Sequence, residues 1–158
     1  GCLLMALSAA AFERAVTVFR SGGVRKIYEA IVLGRYPPDR RELDERIDGE
    51  TARTWVEVLA SHDRASHLRL RIETGRTHQI RRHLFGAGHP IAGDKSYGTG
   101  RAWPEEFRRL PRQMLHAREL SVPDAAGGPP LQASAPIPGD FRKALEALGL
   151  PVSSCDGT

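Results

Sequence analysis

The residues with the greatest capacity for chemistry lie in one short run, Gly75-Arg76-Thr77-His78-Gln79-Ile80-Arg81-Arg82-His83. Five of the eight residues from Arg76 to His83 are basic or imidazole, and none is acidic. A helix face built for solubility alone mixes both signs, so this imbalance points to an anionic partner. Thr74 to Thr77 reads as a turn capping a short helix. The first backbone N–H groups of a helix lack intrahelical partners and attract anions, which suits phosphate. The six histidines raise the question of zinc. His78 and His83 are five apart and do not share a helix face as residues four apart would. Neither Cys-x-x-Cys nor His-Glu-x-x-His occurs, so no metal site is expected. Gly86-Ala87-Gly88-His89-Pro90 follows a helix instead of joining a strand to one, which argues against a dinucleotide loop. Tyr28, on a strand between Lys26 and Glu29, becomes of interest if it faces the basic helix, because a phenol ring can stack on an exposed base.

These side chains need a scaffold, and the sequence offers one. Lys26 to Leu33 reads as a strand with Tyr28, Ala30 and Val32 on one face. Thr51 to Leu59 is a second strand with Thr54, Val56 and Val58 together, and Leu68-Arg69-Leu70-Arg71-Ile72 alternates as a half-buried third. Met114 to Val122 and Leu131 to Ala135 add two more. Cys2 to Leu7 is a continuous apolar run that reads as a buried strand. Ser8 caps a helix carrying Phe12, Ala15, Val16 and Phe19, which Gly22-Gly23 ends. Asp39 to Glu50 reads as a solvated charged excursion. Pro104-Glu105-Glu106 starts a helix. Asp140 is expected to cap a last helix with Phe141, Ala144, Leu145 and Leu148. Strands outnumber helices and short turns join them, so the fold class is α+β.

Composition sets the bounds. The chain has 158 residues, a size that forms one domain with its own core. Its net charge of +4 and pI near 9.5 favour polyanions. Arginine far outnumbers lysine, and guanidinium forks suit phosphate. Cys2 and Cys155 do not make a disulfide framework, so a reducing compartment, the cytoplasm, is expected. No apolar run reaches the length of a membrane span, and the opening run lacks the basic leader of a signal peptide.

Gly75-Arg76-Thr77-His78-Gln79-Ile80-Arg81, followed by His89-Pro90-Ile91-Ala92-Gly93-Asp94 and Tyr97-Gly98, closely resembles the signature of RluA-type RNA pseudouridine synthases. Lys26-Ile27-Tyr28 resembles that family's Lys-x-Tyr strand, Leu115-His116-Ala117 its Leu-His-Ala strand, and Ala135-Pro136-Ile137-Pro138 with Phe141 its closing element. The resemblance runs from Gly1 to about Leu150. It implies a mixed, mostly antiparallel sheet flanked by helices, with residues 1–150 a partial catalytic domain and 151–158 a tail. It implies conversion of uridine to pseudouridine in ribosomal or transfer RNA, with no metal or organic cofactor; a monomer is the default expectation, and no membrane partner is expected. The doubled Arg81-Arg82-His83 is similar to the branch that acts on transfer RNA.

By the same resemblance, Arg81 pairs with the catalytic aspartate and Tyr28 packs against the flipped base. Ile80 lines the pocket, Arg76, His78, Arg82 and Lys26 contact substrate, and Gly93 and Asp94 shape a loop. The nucleophilic aspartate of the family precedes an apolar strand that Gly1 to Ala6 resembles, which places it just ahead of Gly1. None of Asp39, Asp44, Asp48, Asp63, Asp94, Asp124 and Asp140 has the Arg-Leu-Asp setting of the nucleophile. The alternative is an inactive RNA-binding module of the same fold. The 158-residue chain alone is therefore expected to form no pseudouridine in uridine-containing RNA. Nucleoside analysis checks this, and any pseudouridine formed by the purified chain would contradict it.

Overall fold

In the computed structural model, which describes residues 1–98, 103–124 and 126–152, one sheet organises the chain. Its strands are β1 (Arg25–Leu33), β2 (Glu42–Leu43), β3 (Thr54–Ser61), β4 (Ala65–Ile72), β5 (Leu115–Val122) and β6 (Leu131–Ser134). They are ordered β2-β3-β4-β1-β5-β6, and every named pair is antiparallel. Four helices flank the sheet: α1 (Ala9–Arg20), α2 (Gln79–Gly86), α3 (Glu105–Arg108) and α4 (Gly139–Ala147). The α+β class expected from the sequence is the one observed.

Strand alternation divides the sheet into two buried faces. Ala30, Val32, Val56, Leu68, Leu70 and Ile72 point to one side and pack with Ile80 and Leu84 of α2. Tyr28 joins this cluster from its edge. Ile31 and Ala65 point to the other side and pack with Phe107 of α3 and with Phe141, Ala144 and Leu145 of α4. Glu29 falls on the α4 side with Ile31, where it lies 2.7 Å from His67 and both are buried. Arg69 and Arg118 approach the same carboxylate. Burial alone would raise the Glu29 pKa, but the His67 hydrogen bond and the flanking cations hold it below the usual carboxylate range. A buried charge without such partners would be far more costly.

Three expectations need correction. The apolar run Cys2 to Leu7 forms no strand, and Leu3, Met5 and Leu7 are exposed. Its start is anchored by the Cys2 N–H donating to the Ala117 carbonyl at 2.9 Å, and Leu4 packs against Val18, Val24 and Val122. A run without alternation does not announce its partner, and among the described residues it joins no strand ladder. The excursion from Asp39 to Glu50 is not wholly solvated, because Leu43 forms β2 against β3 and Leu43 and Ile47 are buried. Asp140 does not cap α4. Pro138 holds that position, and Asp140 sits in the first turn, where it accepts two bonds from Arg112 at 2.7 and 2.9 Å. By contrast, Ser8 does cap α1 through its hydroxyl, which accepts from the Ala11 N–H. The helix still leaves Phe12 and Phe19 exposed, burying Val18 against Val24 and Val122. Cys155 lies outside the described residues.

Candidate RNA-modification site

The basic run enters α2 through a turn assembled around a buried amide. Gln79 Oε1 accepts from the Thr74 hydroxyl at 2.7 Å and from the Arg76 N–H at 3.1 Å. Its Nε2 donates to the Arg53 carbonyl at 2.9 Å and the Thr54 hydroxyl at 3.2 Å. One side chain thus ties the turn to β3 and uses most of its hydrogen-bonding capacity. Lys26, at the start of β1, donates from Nζ to the carbonyls of Glu73 and Thr74, each at 3.4 Å. Burial pulls its pKa down from the usual value. The structure therefore gives Lys26 a role in holding the turn.

His78 is the N-cap of α2, with φ +53° and no capping bond from its side chain. A non-glycine residue in the left-handed region carries strain, and such strain concentrates at functional sites. Its Nδ1 lies 3.1 Å from the Tyr97 hydroxyl, with the two rings edge to face. His83 turns inward, 2.9 Å from both the Thr54 hydroxyl and the Glu45 carbonyl. It is a satisfied core histidine, and it does not join His78 in a site. Ile80 also turns inward, into the cluster that includes Tyr28.

Arg81 makes the most deeply buried ion pair of the run. Nε donates to Asp94 Oδ2 and Nη2 to Asp94 Oδ1, both at 2.7 Å. The Arg81 side chain is 13% exposed and that of Asp94 1%. The guanidinium lies 4.8 Å from the centre of the Tyr97 ring, a cation–π distance. Asp94 accepts two further bonds, from the Ser96 N–H at 2.9 Å and the Tyr97 N–H at 3.2 Å. Burial on its own would raise the Asp94 pKa. The Arg81 hydrogen bonds, these two N–H groups and the Arg81 charge outweigh it, so the carboxyl stays below its ordinary range. Nε and Nη2 are committed to Asp94, so a further acceptor would be met by the Nη1 edge of the fork.

The loop carrying Asp94 is fixed to the end of β1. The Leu33 N–H donates to the Pro90 carbonyl at 3.0 Å, and the Ala92 N–H to the Ile31 carbonyl at 2.8 Å. His89 packs against the buried Tyr36, with the rings tilted and their centres 4.9 Å apart. Gly93, at φ +76°, passes so close to Arg112 that a Cβ would lie 2.1 Å from that carbonyl oxygen. Glycine is required there, and it sets the direction in which Asp94 leaves the loop.

Tyr28 lines a cleft of about 460 Å³ together with Gly1, Cys2, Leu115 and His116. Burial raises the Tyr28 pKa, with a smaller contribution from Cys2, so the phenol stays protonated at neutral pH. The first residues of the chain therefore reach the same cleft as the tyrosine. Burial lowers the His116 pKa, against the hydrogen bond to the Ala135 carbonyl, so this ring is neutral at pH 7.

The acidic residues missing from the basic run arrive from elsewhere in the chain. Asp94 meets Arg81, Asp48 meets Arg82 through both Nη atoms at 2.8 and 3.0 Å, and Glu50 meets Arg76. Sequence reasoning treated Asp94 as a loop-shaping residue and gave no role to Gln79, Asp48 or Glu50. The regular Gly-Asp step after the helix was the available signal for Asp94. Nothing local marked Asp48 or Glu50, whose partners Arg82 and Arg76 lie more than 25 residues away, and the bonds of Gln79 to Arg53 and Thr54 span a similar distance.

Residues 1–85 match the family described as RNA pseudouridylate synthase. The chain belongs to that family. It is 40% identical over 126 residues to the ribosomal large subunit pseudouridine synthase D of Nitrosomonas europaea, covering 77% of this chain and 37% of that protein. It is 36% identical over 162 residues to an uncharacterized RNA pseudouridine synthase of Chloroflexus aurantiacus, covering 94% of this chain and 50% of the relative. The chain thus spans half or less of the length of these two relatives. Among solved structures, human RNA pseudouridylate synthase domain containing 1 superposes with a TM-score of 0.66 at 27% identity, over 82% of this chain and 61% of that one. Human RNA pseudouridylate synthase domain containing 4 gives 0.73 at 23% identity, over 92% and 70%, a likeness of fold.

Removing one partner of a buried, hydrogen-bonded ion pair strands the other, at about 3 kcal/mol or more. Asp94→Asn is accordingly expected to destabilise the protein at neutral pH by about that amount. Because the folded pKa of Asp94 is depressed, its contribution is complete above about pH 4 and is lost as pH falls through the lower folded value. The asparagine variant should therefore lose less stability than the parent between about pH 4 and pH 2. Urea denaturation across that range checks this, and parallel stability curves for the two proteins would contradict it.

Proposed function

We propose that this chain is part of a catalytic domain, residues 1–150, that isomerises uridine to pseudouridine in RNA. The observation that carries the reading is the meeting of three elements around one apolar cluster. Tyr28 lies at its edge and lines the cleft reached by the chain start, Ile80 lies within it, and Arg81 stands beside Ile80 with its guanidinium fixed by Asp94. A base must leave its stack before side chains can reach it. In this reading the flipped uracil rests against the Tyr28 ring, with Ile80 as a wall. The family's nucleophilic aspartate, from chain preceding Gly1, is kept ionised by the Nη1 edge of Arg81. Glycosidic C1′–N1 cleavage, rotation of the base and rejoining through C5 leave the atom count unchanged. The N1 proton of the product balances the proton lost from C5.

Arg76, His78 and Arg82 lie around the entry to α2 and supply phosphate contacts in this reading, in keeping with the net positive charge. Lys26 acts through the turn it holds. Relatives named as ribosomal large subunit synthases favour ribosomal over transfer RNA as the substrate. We place the reaction in the cytoplasm and assign it to a monomer without cofactor or metal. No helix among the described residues is long and apolar enough to cross a membrane.

The test uses the natural-length protein on ribosomal and transfer RNA transcripts, with pseudouridine read by nucleoside mass spectrometry after derivatisation. Ribosomal RNA should be modified. Tyr28→Ala should lower kcat by about 100-fold or more while RNA affinity falls less, since the ring acts on the flipped base and the phosphate contacts remain. Pseudouridine in neither RNA, or an unchanged rate in the Tyr28 variant, would contradict the assignment.

A further inference from the structure

The segment between β2 and β3 ends in a tight turn, Ile47-Asp48-Gly49-Glu50. Reciprocal bonds close it, from the Ile47 N–H to the Glu50 carbonyl at 2.9 Å and from the Glu50 N–H to the Ile47 carbonyl at 3.0 Å. Asp48 and Gly49 both have positive φ, +53° and +79°, the condition for a two-residue turn of the I′ kind. Ile47 is buried and anchors the turn, while the two carboxylates project from it.

Each carboxylate meets an arginine beside α2. Asp48 fills the terminal fork of Arg82, and Glu50 takes Nη1 of Arg76, whose Nε donates to the Thr51 carbonyl at 3.2 Å. Side-chain exposure separates these pairs from the buried Arg81 and Asp94. Asp48 is 70% exposed and Glu50 59%, against 1% for Asp94. A carboxylate seated across a guanidinium fork has the geometry of two oxygens of a phosphate. Exposed ion pairs are weak and screened by salt, so another anion can displace them.

We propose that the acidic turn 47–50 occupies two phosphate subsites on the RNA-binding face, and that Arg76 and Arg82 exchange its carboxylates for backbone phosphates when RNA docks. This rests on the RNA reading above. Two carboxylates left among bound phosphates would repel them, so binding moves the turn away or forces it to take up counterions. Non-specific RNA, which gains only backbone contacts, competes poorly with the turn. A substrate that also places a uridine against Tyr28 gains a contact the turn does not oppose. The turn thus sets a threshold for backbone binding.

The experiment measures equilibrium binding of a fluorescent uridine-containing single-stranded RNA to the 158-residue chain across a potassium chloride series. The protein is compared with the exposed double variant Asp48→Asn, Glu50→Gln and with Arg82→Ala. The double variant should bind several-fold more tightly at low salt. Its slope of log affinity against log salt should steepen, because no released carboxylate then takes up a cation to offset the counterions freed from the phosphates. Arg82→Ala should bind more weakly with a shallower slope. Unchanged or weaker binding by the double variant, with wild-type binding intact, would overturn the exchange and make the turn a clamp that positions the arginines. Absence of salt-dependent RNA binding in the wild type would overturn the RNA reading itself, and the exchange with it.

Discussion

The site depends on one buried ion pair. Arg81 leaves α2 on the side facing the loop that follows, and Asp94 meets it with both oxygens at 2.7 Å. Everything around the pair serves its geometry. Gly93 takes a backbone conformation that side chains resist, Ser96 and Tyr97 donate N–H groups to the carboxylate, and the Tyr97 ring lies against the guanidinium. Two charges in an apolar interior are costly to desolvate, so such a pair persists only when nearly every lone pair and proton is used. Here nearly all are, and among the described residues no hydrogen bond takes Nη1, so the surplus of a rigid, permanently charged fork is directional.

That constraint separates the arginines of the run into two kinds. Arg81 is held by a buried carboxylate and fixes direction. Arg76 and Arg82 are held by exposed carboxylates of a surface turn and can trade partners. The same residue type in one short segment thereby divides between architecture and recognition, and burial of the partner decides which. The sheet makes this possible by alternation. β1 sends Tyr28 toward α2 and Glu29 toward α4, so the phenol reaches the cleft while the carboxylate is sealed behind the sheet with His67.

Much of the fold was legible because its signals are local. The alternation of Tyr28, Ala30 and Val32, and of Leu68, Leu70 and Ile72, gave the central strands and their buried face. Ser8 announced α1, and the glycines after Leu84 ended α2. What failed depended on distant partners. Cys2 to Leu7 is apolar enough to be buried, but hydrophobicity without period does not tell which surface will cover it. The excursion after Pro38 looked solvated because its charges outnumber Leu43 and Ile47, the residues that anchor it. At the candidate site, motif matching named Arg81, Tyr28 and Ile80 as candidates. The same run looked purely cationic because its acids come from Asp48, Glu50 and Asp94, and pairing across such distances leaves no periodic trace.

The central claim is that RNA docks on the α2 side of the sheet, with a uridine against Tyr28. The most direct measurement is photocrosslinking of the chain to RNA bearing 4-thiouridine at the target position, with crosslinked peptides mapped by mass spectrometry. The account predicts crosslinks in the peptides containing Tyr28 and the turn from Gly75 to Arg82. Crosslinks confined to Trp55, Arg69 and Arg71, which point to the opposite face of β3 and β4, would contradict it.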